Sequence, residues 1–350
     1  MALSALNAPT VAGELFERLS DGRLRCLACA QACALADGAA GICQTRWNSA
    51  GVLRVPHGYV AGLQVDPIEK KPFYHALPGT GALSFGMLGC NFHCAFCQNW
   101  LSSQAPRRPG ARLDIEEITP DEIVRTALAR GARAVISTYN EPWITAEWAR
   151  DVFRVARAAG LATGMVSNGF ATPQALDLLR PCMDLLKIDL KSFSDERYRE
   201  LGGRLQPVLD TIRGAIARGY WVEVVTLVVP GFNDTAAELA RMAEFLSGVS
   251  RDLPWHVTAF HPDYEMRDRP ATSVDQLRRA VDAGRAAGLR YVYAGNLAGR
   301  DAGLEDTACP NCSTPLIERS GFRVTRNALG ADGRCPLCAT RVAGFWSVGR

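Results

Sequence analysis

The sequence predicts an α/β chain: a full or partial (βα) barrel with small cysteine-rich metal-binding modules at both ends. Three observations predict it. Short β-rich runs alternate with amphipathic helical runs from about residue 81 to 296. The interiors of those β-rich runs are apolar, and the residues that follow them are polar. Eleven of the twelve cysteines fall into three tight groups, two of them near the ends of the chain. The expected organisation is a four-cysteine metal-binding segment and linker over residues 1–76, a barrel over 77–300 and a zinc-ribbon-like module over 301–350.

Composition narrows the function class. A chain of 350 residues, 48% hydrophobic, can bury one large core with small additions. A net charge of +3 gives no case for a nucleic-acid or membrane partner. The basic cluster Arg107, Arg108 and Arg112 reads most simply as a solvated loop. The opening "MALSALNAPTVAGELFERLS" carries acidic residues and no long apolar core, so it is not a secretory signal, and no later run reaches the length of a membrane span. The expectation is a cytoplasmic chain with reduced thiols. There, clustered cysteines read as metal ligands before disulfides. Cys182 stands alone and reads as a small buried hydrophobe.

Taken in order, the first element is the group Cys26, Cys29, Cys33 and Cys43 in "RCLACAQACALADGAAGIC". Gly38 and Gly41 let the chain fold back on itself. Four thiolates suit zinc or an auxiliary 4Fe–4S cluster, and spacing does not separate the two. The segment "DPIEKKPFYH", residues 66–75, reads either as an exposed linker or as a lip over the barrel mouth that contacts substrate.

Seven strand candidates follow, at residues 82–88, 134–139, 163–168, 185–190, 222–229, 256–260 and 291–295. Helical runs separate them. In "TPDEIVRTALARG", Thr119 suits the N-cap, Pro120 the first helical position and Gly131 the stop. "TAEWARDVFRVARAAG" and "SVDQLRRAVDAGRAAG" have the same form. Such alternation argues for βα units on a parallel sheet.

The strand exits carry the chemistry. They present in turn Cys90; Asn140 and Glu141; Asn168 and Gly169; Asp189 and Lys191; Asn233 and Asp234; His261, Asp263 and Tyr264; and Asn296. In a βα barrel these exits converge on one mouth, where active sites are built. Turn formation alone accounts for Asn, Gly and Asp. It accounts poorly for Glu141, Lys191 and His261 at the same places. Taken singly, Lys191 could pair with Asp189 or Asp195, and His261–Pro262 could cap a strand.

At the first exit, "GCNFHCAFCQNW" holds Cys90, Cys94 and Cys97 as C-x3-C-x2-C. A cubane cluster needs one thiolate per iron. Three ligands leave one iron open, and an open metal position marks a catalytic site rather than a structural one. Phe96 could pack beside a bound purine. The competing reading is a closed cluster or zinc site with His93 or a distant cysteine as the fourth ligand; His93, however, adjoins Cys94, and neighbouring residues in an extended loop point apart.

With its aromatic before the last cysteine, this motif resembles that of the radical SAM superfamily. More narrowly the chain resembles radical SAM enzymes of the AmmeMemoRadiSam system, which are similar to pyruvate formate-lyase activating enzymes. "YNEP", "VSNG", "LKIDLKSF", "VVPGFND", "WHVTAFHPDY" and "YVYAGN" carry the resemblance, together with both terminal cysteine groups. It implies a partial barrel of the radical SAM type. It implies a 4Fe–4S cluster on Cys90, Cys94 and Cys97 that cleaves S-adenosylmethionine (SAM) reductively, giving a 5′-deoxyadenosyl radical that abstracts hydrogen from a protein or small molecule. Glu141, aided by Asn140, would contact the SAM amino group. Asn168 would reach the ribose or methionyl part, and Gly169 would permit the close turn. Phe96 would flank the cofactor, and Asp189, Lys191 and His261 would line the substrate side, the last two as candidate catalytic groups. A flavodoxin or ferredoxin would supply electrons, and Memo-like and AMMECR-type proteins would be partners. The alternative of another class is a non-catalytic iron–sulfur and zinc protein that transfers electrons or senses redox state.

The last element is Cys309, Cys312, Cys335 and Cys338, C-x2-C twice, the spacing of a tetrahedral zinc ribbon. Such knuckles favour Gly after the second cysteine of each pair, where the backbone needs positive φ. Here Ser313 and Ala339 stand instead.

Overall fold

A computed structural model describes residues 9–108, 111, 114–296, 304–330 and 332–348. Its centre is an eight-stranded sheet. We number the strands β1 (Gly62–Pro67), β2 (Gly81–Gly86), β3 (Ala132–Ser137), β4 (Ala162–Ser167), β5 (Leu185–Asp189), β6 (Trp221–Val228), β7 (Trp255–Ala259) and β8 (Val292–Gly295). They lie side by side in sequence order. β2 to β8 are parallel, and β1 runs antiparallel along β2, with Gly62 opposite Gly86 and Pro67 opposite Gly81. The order never reverses, so successive crossovers roll the sheet one way into an open barrel; β8 and β1 are its two edges. This is the partial (βα) barrel expected, with all seven parallel strands where the sequence places them.

The crossover helices are α1 (Pro120–Ala129), α2 (Ala146–Ala158), α3 (Pro173–Leu179), α4 (Leu205–Ala217), α5 (Ala236–Val249) and α6 (Val274–Ala286). Their starts follow local chemistry. The Thr119 hydroxyl accepts the Glu122 N–H while the Glu122 carboxylate accepts the Thr119 N–H, and Pro120 supplies the first helical φ. Ser273 and Gln276 repeat this box at α6. Gly131, Gly160 and Gly288 follow helix ends at φ of 68°, 76° and 89°, a region costly for other residues. Each helix turns an apolar face to the sheet; on α2 this face is Trp148, Ala149, Val152, Phe153 and Ala156, all fully buried.

Residues 62–76 belong to the barrel and not to a linker. β1 pairs along the whole of β2, and the chain then turns under the N-terminal ends of the strands. Ile68, Phe73, Tyr74 and His75 are buried there. Both readings of "DPIEKKPFYH" are therefore corrected: apart from Pro67 and Lys70 it is covered, and it lies away from the mouth in the barrel floor. The physical reason is Glu223 on β6. Its buried carboxylate accepts the N–H groups of Tyr74 (3.0 Å) and His75 (2.9 Å), Trp221 Nε1 (3.0 Å) and His256 Nε2 (2.7 Å). Lys187 Nζ reaches down to the Pro72 carbonyl at 2.9 Å.

Two small antiparallel sheets precede the barrel, joining Thr10–Ala12, Val52–Pro56 and Trp47–Ser49 in one and Phe16–Arg18, Leu24–Cys26 and Ala34–Leu35 in the other. A buried ion pair ties them to α2: Arg46 forks onto Glu147 at 2.7 and 2.8 Å. A third small sheet, of Thr307–Ala308, Pro315–Ser320 and Arg323–Asn327, follows the barrel. The expected boundary near residue 300 lies outside the described residues. None of the described helices is long and apolar enough to cross a membrane.

Candidate active site at the barrel mouth

The loop after β2 carries the three-cysteine motif over the C-terminal ends of the strands. Gly89 opens it at φ 93°; a side chain there would strike Thr45 and the Cys43 carbonyl. Arg107 holds the loop's shape, donating to the carbonyls of Phe92 (2.8 Å), Cys90 (2.6 Å) and Ile42 (2.9 Å). Arg108 lies over the stacked rings of Trp100 and Tyr264. The solvated-loop reading is thus corrected for both arginines: their planar guanidinium groups find carbonyls and rings close by. Arg112 lies outside the described residues.

Cys90, Cys94 and Cys97 form one wall of a cavity of about 240 Å³. Asn140 and Glu141 come from the exit of β3, Asn168 from β4, Asp189 and Lys191 from β5, Val225 and Leu227 from β6, and Thr258 from β7. The convergence of exits expected from the sequence brings these residues together. Phe96 also lines the cavity, packed edge-on against Phe232 with ring centres 5.5 Å apart.

The donor set suits an iron–sulfur cluster. Phe92 N–H points at Cys90 Sγ at 3.4 Å, and Ser103 Oγ lies 3.3 Å from Cys97 Sγ. His93 is exposed and turned against Gly202, away from the buried Cys94, so it adds no fourth ligand. The three sulfurs are also spread too widely for one zinc ion. Among the described residues, the group whose ligand atoms all lie within 4.8 Å of one another is Cys309, Cys312, Cys335 and Cys338.

Electrostatics in the cavity are set by burial. Glu141 is 1% exposed. Burial raises its pKa to about 7, against hydrogen bonds from Asn168 N–H (2.8 Å), Ser167 Oγ (2.7 Å) and Trp143 N–H (3.2 Å). Asn140 Oδ1 accepts the Met87 N–H. Asn168 Nδ2 donates to Asn91 Oδ1 at 2.7 Å, and its Oδ1 accepts the Phe170 N–H. Gly169 takes φ 72°, and a methyl there would fall 2.6 Å from Ile188, so the tight turn admits only glycine. Burial disfavours the Lys191 ammonium, but the Asp189 carboxylate at 2.9 Å outweighs it and keeps the amine charged.

His261 is not in the cavity. It sits exposed on the rim, with Nδ1 3.2 Å from Gln98 Nε2. Its exit loop continues outward after β7. The sequence reading also missed Gln98, Asn99, Ser103, Gln104, Tyr139 and Ser167, which line the cavity. Ser167 had a usable signal, standing directly before Asn168 in "VSNG".

The C-terminal cysteines are already gathered. Cys309 and Cys338 sulfurs are 3.6 Å apart, and Cys312 and Cys335 sulfurs 3.7 Å. Four thiolates around one ion at about 2.3 Å stand about 3.8 Å apart. Cys182 is buried, as expected of a small hydrophobe.

The radical SAM superfamily profile matches residues 86–246, from the end of β2 into α5. Uncharacterized protein MJ0808 of Methanocaldococcus jannaschii is 37% identical over 330 residues, covering 93% of this chain and 97% of that one. The chain belongs to the radical SAM superfamily. It is similar to the pyruvate formate-lyase 1-activating enzyme of Escherichia coli K12, 25% identical over 193 residues, 53% of this chain and 77% of the other. A solved domain of the pyruvate-formate lyase-activating enzyme from Bacteroides vulgatus covers 46% of this chain and 98% of its own at 18% identity, with a TM-score of 0.42. The radical SAM family uses a 4Fe–4S cluster and SAM, and cleaves SAM for radical chemistry.

Proposed function

We propose that Cys90, Cys94 and Cys97 hold a 4Fe–4S cluster with one open iron, and that SAM binds there between the loop and the exits of β3 to β5. The observation that carries this reading is the cavity itself: three thiols on one wall face Glu141, Asn140, Asn168, Asp189 and Lys191 on the others. When bound, the cluster supplies one electron to the SAM sulfonium, which splits into methionine and a 5′-deoxyadenosyl radical.

The chain's own residues do the rest. Glu141 offers a buried anion to the SAM ammonium, a charge-assisted pairing. Asn168 is held by Asn91 and the Phe170 N–H, so its remaining N–H meets the ribose or carboxylate without reordering. Phe96, backed by Phe232, gives the adenine a flat apolar neighbour. Lys191 and Asp189 hold a fixed charge pair on the substrate side, and His261 meets substrate only at the rim. The radical takes hydrogen from a protein or small-molecule substrate, in the manner of glycyl-radical activases. A flavodoxin or ferredoxin is the electron source that suits this chemistry. Memo-like and AMMECR-type proteins are candidate partners by resemblance, and zinc is our assignment for the C-terminal cysteines.

The test is anaerobic reconstitution, reduction and product analysis. Cluster-loaded protein should convert SAM to 5′-deoxyadenosine, and Cys97→Ala should make none. Equal behaviour of the two, with an EPR signal that ignores added SAM, would instead support a non-catalytic redox protein. Deuterium carried from candidate substrates into 5′-deoxyadenosine, read by mass spectrometry, identifies the abstracted position.

A further inference from the structure

The N-terminal cysteines lie directly behind the three-cysteine loop. Cys29 pairs with Ala171 across an isolated bridge, and Ala30 N–H donates to the Phe170 carbonyl at 2.9 Å. Gln31 Nε2 reaches the carbonyls of Asn91 and Gly202. Gly89 abuts Thr45 and the Cys43 carbonyl, and Arg107 joins the Ile42 carbonyl to the Cys90 carbonyl. Between the two cysteine groups stands Asn91, fully buried. Its Oδ1 lies 3.8 Å from Cys90 Sγ, while its Nδ2 has no hydrogen-bond partner and faces the Cys29 thiol. Among the described residues, none before Cys90 lines the SAM cavity. The N-terminal group therefore covers the face of the loop that SAM does not use.

We propose that Cys26, Cys29, Cys33 and Cys43 hold a second 4Fe–4S cluster, and that it passes electrons through the Cys29–Asn91–Cys90 contact. This rests on the radical SAM reading of the cavity. Spacing is the first argument. The C-terminal thiols fall within 4.8 Å of one another, as one tetrahedral ion requires, whereas the N-terminal thiols do not. In this they match Cys90, Cys94 and Cys97, the thiols of a cubane site, where each sulfur serves its own iron. Position is the second argument. Zinc has no redox chemistry, so it has no use for a place in contact with an electron-accepting loop. A one-electron carrier does. The third is polarity. Cys26, Cys29 and Cys43 are buried, while Cys33 is partly exposed and Ile42 is 40% exposed, so the group opens outward at one edge.

The electron count is simple. A reduced low-potential carrier of the flavodoxin or ferredoxin class loses one electron at the Cys33 edge. That electron leaves again towards Cys90, so the N-terminal site returns to its oxidised state, with no bond made or broken.

The test uses the full chain, reconstituted anaerobically with iron and sulfide. The expected result is eight irons per chain, falling to four in Cys26→Ser/Cys43→Ser and to four in Cys90→Ser/Cys94→Ser/Cys97→Ser. Only the first variant's EPR signal should shift with SAM. In the unaltered protein, full reduction should broaden the EPR signal through coupling of two neighbouring clusters, a readout that needs no variant. Reduction of the SAM-facing cluster by a flavodoxin-class donor should slow at least tenfold in Cys26→Ser/Cys43→Ser. Four irons with two zincs in the unaltered protein overturns the cluster, and unslowed reduction overturns the relay. Dithionite-driven 5′-deoxyadenosine formation is measured separately and decides the reading of the cavity alone.

Discussion

Glu141 shows how a single residue sets the chemistry of the mouth. Burial raises its pKa to about 7, so its carboxyl is protonated below that pH and ionised above it. A SAM ammonium favours the ionised form. SAM affinity should therefore rise as pH increases through about 7 and level off above it, weakening about tenfold per unit below. Glu141→Gln should bind at least ten times more weakly at pH 8 and lose the pH slope, because charge-assisted bonds are worth about 1.5–3 kcal/mol. Equilibrium dialysis of SAM against cluster-loaded protein measures both; a slope that survives in Glu141→Gln would remove Glu141 from this role. At this scale, the sequence revealed residues whose type is rarely explained otherwise. Three cysteines at fixed spacing, and Glu141 and Lys191 at strand ends, are of this kind. His261 misled because exit position fixes where a loop begins, not where it turns. Gln98 and Tyr139 were illegible because a loop residue's direction depends on φ and ψ, and Tyr139 takes φ 73°.

Elements were legible where local and tertiary demands agree. Capping boxes at Thr119 and Ser273, stop glycines and apolar strand interiors all point to the observed βα units. β1 was missed because it lies at the sheet edge, half-covered on both faces, and so shows neither alternation nor an apolar run. The floor was misread because Lys70 and Lys71 look solvated, whereas they pair with Asp66, and because Glu223, far along the chain, holds the Tyr74 and His75 backbone N–H groups. The ribbon turns show the reverse case, a departure correctly noted. Ser313 and Ala339 do take positive φ, 59° and 58°. A side chain there costs about 1 kcal/mol. Ser313→Gly and Ala339→Gly should each stabilise the metal-bound turn by about that amount. Zinc affinity, measured by chelator competition, should rise about fivefold per substitution. No change in affinity would mean that the turns relax without metal and that strain plays no part.

At the scale of the molecule, the C-terminal sheet is built into the barrel floor. Arg319, 8% exposed, donates from Nη2 to the Tyr74 carbonyl at 2.8 Å and covers its ring at 4.2 Å. Its Nη1 reaches Thr307 Oγ1 at 2.9 Å, which lies 2.9 Å from Tyr293 Oη on β8. Burial lowers the His75 pKa to about 4, so the ring is neutral; Nδ1–H donates to the Ala343 carbonyl at 2.7 Å, and Nε2 accepts the Tyr293 hydroxyl. Phe345 N–H donates back to the His75 carbonyl at 2.7 Å. The cysteine-bearing turns, the floor and Glu223 thus belong to one packed and hydrogen-bonded region, with Cys309 and Cys335 buried beside Tyr74 and Tyr293. Removing the metal proposed for Cys309, Cys312, Cys335 and Cys338 should loosen the floor as well as the ribbon. A chelator should lower the melting temperature of the whole chain in one transition and weaken SAM binding, although none of the described C-terminal residues lines the cavity. Arg319→Ala should act in the same direction and cost about 3–5 kcal/mol, because it leaves the buried Glu69 carboxyl without its nearby cation. Calorimetry separates the possibilities. A ribbon that melts alone, with the barrel transition unmoved and SAM affinity intact, would show that the network covers the floor without supporting the site above it.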